Sequence, residues 1–208
     1  MKKILRFLAG VLVFAMMSSL CSCAIKTAAQ KSEEVSLRET DKFREVCDLL
    51  QGCIGTTFTD ATMRLETYFG FEFDLVNYSD CTYYNEEDGY YDYCFEKTVR
   101  ISDVEFSQIR IRCTIEDETV FYVGFISDSV SAGKLDEDYG KIVTLSTDIL
   151  RQPKSVRNPP KDDDDVAFTE YGLGDRIVIS AGRYISSEYN SLWFDINDWK
   201  TAEELGVV

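Results

Sequence analysis

Cysteine is the residue type whose chemistry stands out in this sequence, which has seven cysteines and no histidine in 208 residues. A cysteine sulfur can carry a covalent group, form a disulfide or bind a metal. The absence of histidine excludes Ser-His-Asp and Cys-His catalytic arrangements, and also the zinc sites that contain histidine. A hydrolase of this composition would need a Ser-Lys pair, two carboxylates or a bound metal.

The sequence contains no specific catalytic or metal-binding motif. Its 37 Asp and Glu residues offer so many carboxylate pairs that no glycosidase-like pair can be singled out. The run Asp162–Asp165 lacks the EF-hand spacing and fits a solvated acidic loop better than a calcium site. No Gly-rich phosphate loop is present, since Gly172-Leu173-Gly174 fits a hairpin turn. We therefore expect no catalytic residue, no metal and no cofactor.

The first 23 residues have the parts of a secretory signal. Residues 1–6 carry three positive charges, and an apolar run of 11 residues follows from Phe7 to Met17. That run is too short to cross a bilayer core of about 30 Å as a helix. The motif Leu20-Cys21-Ser22-Cys23 then resembles the lipobox of bacterial lipoproteins, which has an aliphatic residue three places before an obligatory cysteine.

This lipobox resemblance implies a covalent modification and a location. It implies cleavage before Cys23 and a diacylglyceryl thioether on the Cys23 sulfur, which would hold the chain on the outer side of a bacterial cell membrane. Two other interpretations of the leader stay open. Cleavage after Ala24 would secrete the chain, and an uncleaved leader would act as a signal anchor.

The charge of the chain bears on its partners. The formal net charge is -15, and it becomes -18 when Lys2, Lys3 and Arg6 are removed with the signal. A field of that sign repels nucleic acid and anionic lipid headgroups. We expect no nucleic-acid partner, and contact with the membrane through the lipid on Cys23.

Hydrophobic periodicity predicts one α+β domain after the signal at 1–22 and a polar, flexible tether at 23–35. In this domain, at 36–208, an antiparallel β-meander has two N-terminal helices and one central helix packed on one face. The predicted helices lie near residues 37–51, 59–69 and 135–152, with a short fourth helix after Asp198. The predicted strands lie near 71–75, 81–85, 90–94, 104–113, 120–126, 166–171, 176–181 and 191–196. In the strand at 104–113, a change of face between Phe106 and Ile109 indicates a bulge.

The predicted hairpin at 81–94 brings two cysteines together. A turn at 86–89 places Cys81 directly opposite Cys94, which predicts a cross-strand disulfide. Cys47 and Cys53 could be joined only if Gly52 ended the helix between them. The alternative for Cys47 and Cys113 is a buried, reduced thiol.

Five tyrosines crowd the same hairpin, and two interpretations of them stay open. They are Tyr83, Tyr84, Tyr90, Tyr91 and Tyr93. Exposed tyrosines beside acidic residues would make a rigid recognition surface, whereas buried ones would be cross-strand aromatic packing.

The function that we expect is binding rather than catalysis. Residues 55–70 resemble the helical start of the small inhibitor-like and assembly-factor domains found on many bacterial lipoproteins. With the anchor, this favours a non-enzymatic module that binds a protein or an envelope polymer, of inhibitor, immunity or assembly type. A carboxylate-dependent envelope enzyme and a solute-binding lipoprotein are the alternatives, although two-lobed solute-binding proteins are usually larger.

Overall fold

A computed structural model of the protein describes residues 37–74, 89–128, 131–157 and 165–206. The chain divides into two units, Met1–Asp41 and Lys42–Val208. The described part of the first unit, residues 37–41, is helical. All contacts given below lie within the second unit. The predicted signal, the predicted tether and Cys23 lie outside the described residues.

Four helices lie in the described residues: α1 at 37–53, α2 at Phe58–Phe69, α3 at Ala132–Leu150 and α4 at Trp199–Glu204. All four correspond to predicted helices, but α2 begins earlier than predicted. Its N-cap is Thr57, whose Oγ1 accepts a hydrogen bond from the Asp60 amide at 3.2 Å. Gly70 ends α2 with a left-handed φ of 74°. Within this part of the chain, no helix is both long enough and apolar enough to cross a membrane.

Nine strands lie in the described residues, and seven of them form one antiparallel sheet. The strands are β1 Tyr90–Phe95, β2 Val99–Ile101, β3 Val104–Phe106, β4 Gln108–Thr114, β5 Val120–Asp128, β6 Ser155–Arg157, β7 Asp165–Leu173, β8 Ile177–Ile185 and β9 Asn190–Asp198. The order across the large sheet is β1-β4-β5-β9-β8-β7-β6, while β2 and β3 form a separate two-stranded ribbon. The predicted α+β class is therefore confirmed.

The sheet has two unlike faces because side chains alternate along each strand. One face packs against α1, α2 and α3 in the main hydrophobic core, where the rings of Phe43 and Phe194 lie 5.1 Å apart between centroids. This arrangement agrees with the prediction that these three helices pack on one face. The fourth helix instead places Ala202 in a smaller cluster with Tyr90 and Phe121.

Polar contacts attach α3 to the sheet. The hydroxyls of Tyr139 on α3 and Thr169 on β7 lie 2.9 Å apart, and those of Thr147 on α3 and Tyr171 on β7 lie 2.9 Å apart. The pairing is reciprocal, because each element supplies one tyrosine and one threonine. These bonds satisfy hydroxyls that would otherwise be costly to bury.

Two strand predictions are wrong. Residues 71–74 are not in a strand, although Phe73 packs in the core with its ring 4.6 Å from that of Phe95. The single strand predicted at 104–113 is divided at Ser107, so that β3 pairs with β2 and β4 pairs with β1. Alternation of apolar residues shows that side chains are buried, but it does not show which strand they pair with.

The other strand predictions have mixed outcomes. The predictions for the last three strands and for 120–126 are confirmed, with each strand longer than expected. The three-residue strand β6 was missed, since it is too short to show a period. The predicted strand at 81–85 and Leu75 lie outside the described residues.

Candidate functional site

The face of the sheet opposite α1, α2 and α3 carries a line of mostly polar residues that crosses every strand. The strand register places one residue of each strand in this line, which we call the polar row. From β1 to β6 its members are Cys94, Arg110, Gly124, Asp195, Ser180, Glu170 and Ser155. Neighbouring strands lie about 4.8 Å apart, so adjacent side chains of the row can contact each other.

At the β1 end of the row, one buried carboxylate holds two arginines, which we call the arginine pair. Arg110 donates from Nε to Oδ1 of Asp92 at 2.7 Å and also from Nη2 to Oδ2. Arg112 donates from Nε to Oδ2 of the same residue at 3.1 Å. The hydrogen bond to Asp92 raises the pKa of Arg110. Both guanidinium groups are therefore held in place from β1.

The aromatic neighbours of Arg112 fix its guanidinium further. The guanidinium carbon lies 4.9 Å from the ring centroid of Tyr122 and 5.6 Å from that of Tyr90. Such cation–π contacts favour a charged group over the ring face. Arg112 is thus positioned by a carboxylate and by two rings that come from different strands.

The centre of the row is a hydrogen-bonded group around Asp195. The Tyr122 ring lies across Gly124, where an added Cβ would lie 2.8 Å from Cζ of the ring and would overlap the hydroxyl. The absence of a side chain at Gly124 therefore lets Tyr122 donate from its hydroxyl to Oδ2 of Asp195 at 3.4 Å. Ser180 donates to Oδ1 at 2.6 Å.

Burial changes the acidity of this central group. Desolvation raises the pKa of Asp195 to about 7, against the opposing effect of the hydrogen bonds from Ser180 and Tyr122. Desolvation also raises the pKa of Tyr122 well above its ordinary value. Asp195 therefore changes charge near neutral pH, while Tyr122 keeps its proton.

The same face carries another acid at its β6 end and an aromatic side chain on the central strand β9. Ser155 donates to the carboxylate of Glu170. The half-buried Trp193 lies across Gly182, where an added Cβ would overlap the indole ring. Arginine, tyrosine and tryptophan thus share one face of the sheet. These are the residue types most enriched at the energetic centres of protein interfaces.

The described part of the chain gives no support for a metal site. No group of three or more Cys, Asp or Glu side chains within it could hold a metal ion. Asp162–Asp164 of the acidic run lie outside the described residues. Asp165 begins β7, and its carboxylate forms an ion pair with Arg183 at 3.0 Å.

The predicted cysteine pairs have different outcomes. Cys47, Cys53 and Cys113 are free, buried thiols, so the joining of Cys47 to Cys53 is wrong. The physical reason is that α1 continues through residue 53 instead of ending at Gly52. Cys94 lies in the polar row with its Sγ 3.4 Å from Oε1 of Gln108. Cys81 lies outside the described residues, so the Cys81–Cys94 disulfide stays a prediction.

Of the two interpretations of the tyrosines at 81–94, the exposed recognition surface does not hold for Tyr90 and Tyr93. Tyr90 and Tyr93 are each 6% exposed, because they pack on opposite sides of β1. Tyr93 meets Phe58 of α2 at 4.5 Å between ring centroids. Tyr91 is half-buried, and Tyr83 and Tyr84 lie outside the described residues. Aromatic packing, the alternative interpretation, describes Tyr90 and Tyr93.

Sequence reasoning missed the arginine pair and Asp195. The alternation of Arg110 and Arg112 with Ile109 and Ile111 was a usable signal, since it puts the two charges on one face of β4. The link to Asp92 was not visible, because it depends on the register between β1 and β4. The link between Tyr122 and Asp195 depends in the same way on β5 pairing with β9.

Comparison with known proteins gives no family for this chain. No protein-family model matches it, and searches of curated proteins and of solved structures also found no match.

Proposed function

We propose that this chain is a bacterial lipoprotein, held by lipid on Cys23 at the outer side of the cell membrane, whose folded domain binds a partner without catalysis. The observation that carries the proposal is the leader: three positive charges, an apolar run of 11 residues and then Leu20-Cys21-Ser22-Cys23. Its partner is a protein or an envelope polymer on that side of the membrane.

The composition of the opposite sheet face supports binding as the activity. This face presents the arginine pair, with side chains 32% and 20% exposed, together with the half-buried Trp193 and Tyr184. Arginine and large aromatic side chains supply much of the energy of protein interfaces. The carboxyl of Asp195, which titrates near neutral pH, is already hydrogen-bonded to Ser180 and Tyr122. The chain has no histidine that could act as a general base. Both features favour binding over catalysis.

The test is to express the chain with its own leader in a bacterium and to measure its intact mass and its partition into detergent. The protein should carry a diacylglyceryl mass on a chain that begins at Cys23, and should enter the detergent phase. Cys23→Ala should abolish the lipid mass. Cys21→Ala is the matched control, because Cys21 is removed with the signal and the product should be unchanged.

Other outcomes identify the alternatives. A water-soluble product that begins at Ile25 would show ordinary secretion, and an unprocessed chain in the membrane would show a signal anchor. Either result would refute the lipoprotein proposal. Lipidation that moves to Cys21 in the Cys23→Ala variant would show that the cleavage site is misplaced.

A further inference from the structure

We propose that the arginine pair is a binding site for a carboxylate group carried by the partner. This inference rests on the binding function proposed above and names the chemistry that the partner presents. It places the carboxylate-binding site at the β1 end of the binding face.

The first argument is that both guanidinium groups keep donors available after they bind Asp92. A guanidinium has five N–H donors. Asp92 accepts two of them from Arg110 and one from Arg112. Arg112 thus keeps both Nη groups, which form a planar, end-on edge of the kind that binds a carboxylate through two parallel hydrogen bonds. Among the described residues, these Nη groups have no hydrogen-bond acceptor.

The second argument is the difference in burial between the acid and the two bases. The Asp92 side chain is only 2% exposed, whereas those of Arg110 and Arg112 reach solvent. The acid therefore orients the guanidinium groups from inside the protein and leaves part of each arginine side chain accessible to solvent. A site organised in this way loses little side-chain entropy when a ligand binds.

The third argument is charge. Two arginines and one aspartate leave a local charge of about +1, in a chain whose net charge is -15. A single carboxylate neutralises that excess. The aromatic rings of Tyr122 and Tyr90 beside Arg112 lower its exposure to water, which strengthens a charged contact.

The fourth argument concerns the charge of Asp195, the acid on which Arg112 acts. Arg112, Tyr122, Ser180 and Glu170 are the charged or hydrogen-bonding groups that act on Asp195. Because burial raises the pKa of Asp195 to about 7, this carboxyl is largely protonated below neutral pH. The carboxylate of the partner can then approach Arg112 with less repulsion from Asp195.

The test is titration of the purified full chain in detergent with an end-blocked tetraglutamate peptide, observed through the arginine side-chain Nε–Hε signals in NMR. The expected result is a saturable shift of the Arg110 and Arg112 signals. An end-blocked tetraglutamine peptide should give none. A tetraglutamine peptide with a free carboxyl terminus distinguishes a terminal carboxylate from side-chain carboxylates as the source of the ligand.

The variant for this test is Arg112→Gln, since Arg110 alone still makes two hydrogen bonds to Asp92 and keeps the acid paired. Affinity for tetraglutamate should fall at least about tenfold, as expected for loss of a charged hydrogen bond. Arg100→Gln is the matched control because it removes the same charge from β2, where Arg100 pairs with Glu105 on the exposed face of the ribbon. It should leave affinity within about twofold.

Any of three titration results would overturn the inference: no shift with any carboxylate peptide, an equal response to the end-blocked glutamine peptide, or a response to dimethyl phosphate alone. An equal loss of affinity in Arg100→Gln would also overturn it, because that result indicates a non-specific effect of net charge. The lipidation test measures the modification of Cys23 and does not involve this face of the sheet. Failure of the carboxylate site therefore leaves the lipoprotein proposal standing, and the reverse is also true.

Discussion

The hydroxyl of Tyr122 donates to Oδ2 of Asp195 at 3.4 Å, and the Tyr122 ring can reach that position because it lies across Gly124. Asp195 is the residue of β9 that pairs with Gly124 on β5. An aromatic ring packed over a glycine of a strand replaces the contacts that the missing side chain would make. The glycine therefore has a specific structural role in the middle of the polar row.

Gly124→Ala should destabilise the fold by about 1–3 kcal/mol, since the new methyl group would overlap the Tyr122 hydroxyl and displace the ring. Urea unfolding followed by circular dichroism measures the change. Gly140→Ala is the matched control, because Gly140 lies in α3 with nothing within 4 Å of an added Cβ. That substitution should stabilise the helix by about 0.5–1 kcal/mol. Destabilisation by both variants to the same degree would contradict this role for Gly124.

Asp195 should make the stability of the protein depend on pH between about 4 and 7. Burial raises its pKa from an ordinary value of about 4 to about 7, so in this window the folded state binds a proton that the unfolded state has lost. Its contribution to stability is complete below pH 4, falls as the pH rises towards 7, and is lost above that. The slope should approach about -1.4 kcal/mol per pH unit.

The measurement is the free energy of unfolding from pH 4 to 8 for the wild type and for Asp195→Asn. The variant cannot ionise, so the difference between the two proteins should change across this window and become flat above pH 7. A constant difference throughout would show that folding does not raise the pKa of Asp195.

Asp92→Asn should destabilise the protein by about 2–3 kcal/mol, since it leaves two partly buried arginines without their counter-charge. Glu105→Gln is the contrasting variant, because Glu105 pairs with Arg100 where both side chains are more than half exposed. It should change stability by less than about 0.5 kcal/mol. Similar effects in both variants, measured by urea unfolding, would show that Asp92 is not a structural anchor for the arginine pair.

The three buried thiols should resist alkylation in the folded protein. Burial raises the pKa of Cys47 and Cys113 to about 12 and that of Cys53 to about 11, so little reactive thiolate forms at pH 8. Mass spectrometry after treatment with iodoacetamide should find these residues unmodified, and fully modified once urea is added. An engineered Ser131→Cys at an exposed position is the control that should react without urea.

The same peptide map tests the Cys81–Cys94 disulfide. Omitting reductant should keep the peptides of Cys81 and Cys94 joined, and adding it should separate them. Recovery of Cys81 as a free thiol from unreduced protein would rule out the disulfide.

Much of the fold was predictable because it depends on local patterns. The three-residue to four-residue spacing of Phe43, Val46, Cys47 and Leu50 predicts one buried face for α1, and all four are buried. Gly70 ends α2 because glycine adopts the left-handed conformation without strain. The end of α1 was not predictable in this way, since Gly52 lies inside the helix and does not stop it.

The sequence by itself determined the acidic charge, the absence of histidine chemistry and the α+β class. Each of these follows from residue type or from spacing over a few positions. Tertiary structure alone decided that Asp92 meets the arginine pair and that Tyr122 meets Asp195. These residues are 18 to 73 positions apart in the chain, and only the order and register of the strands bring them together. Strand alternation shows which face a side chain occupies, but pairing decides its neighbour.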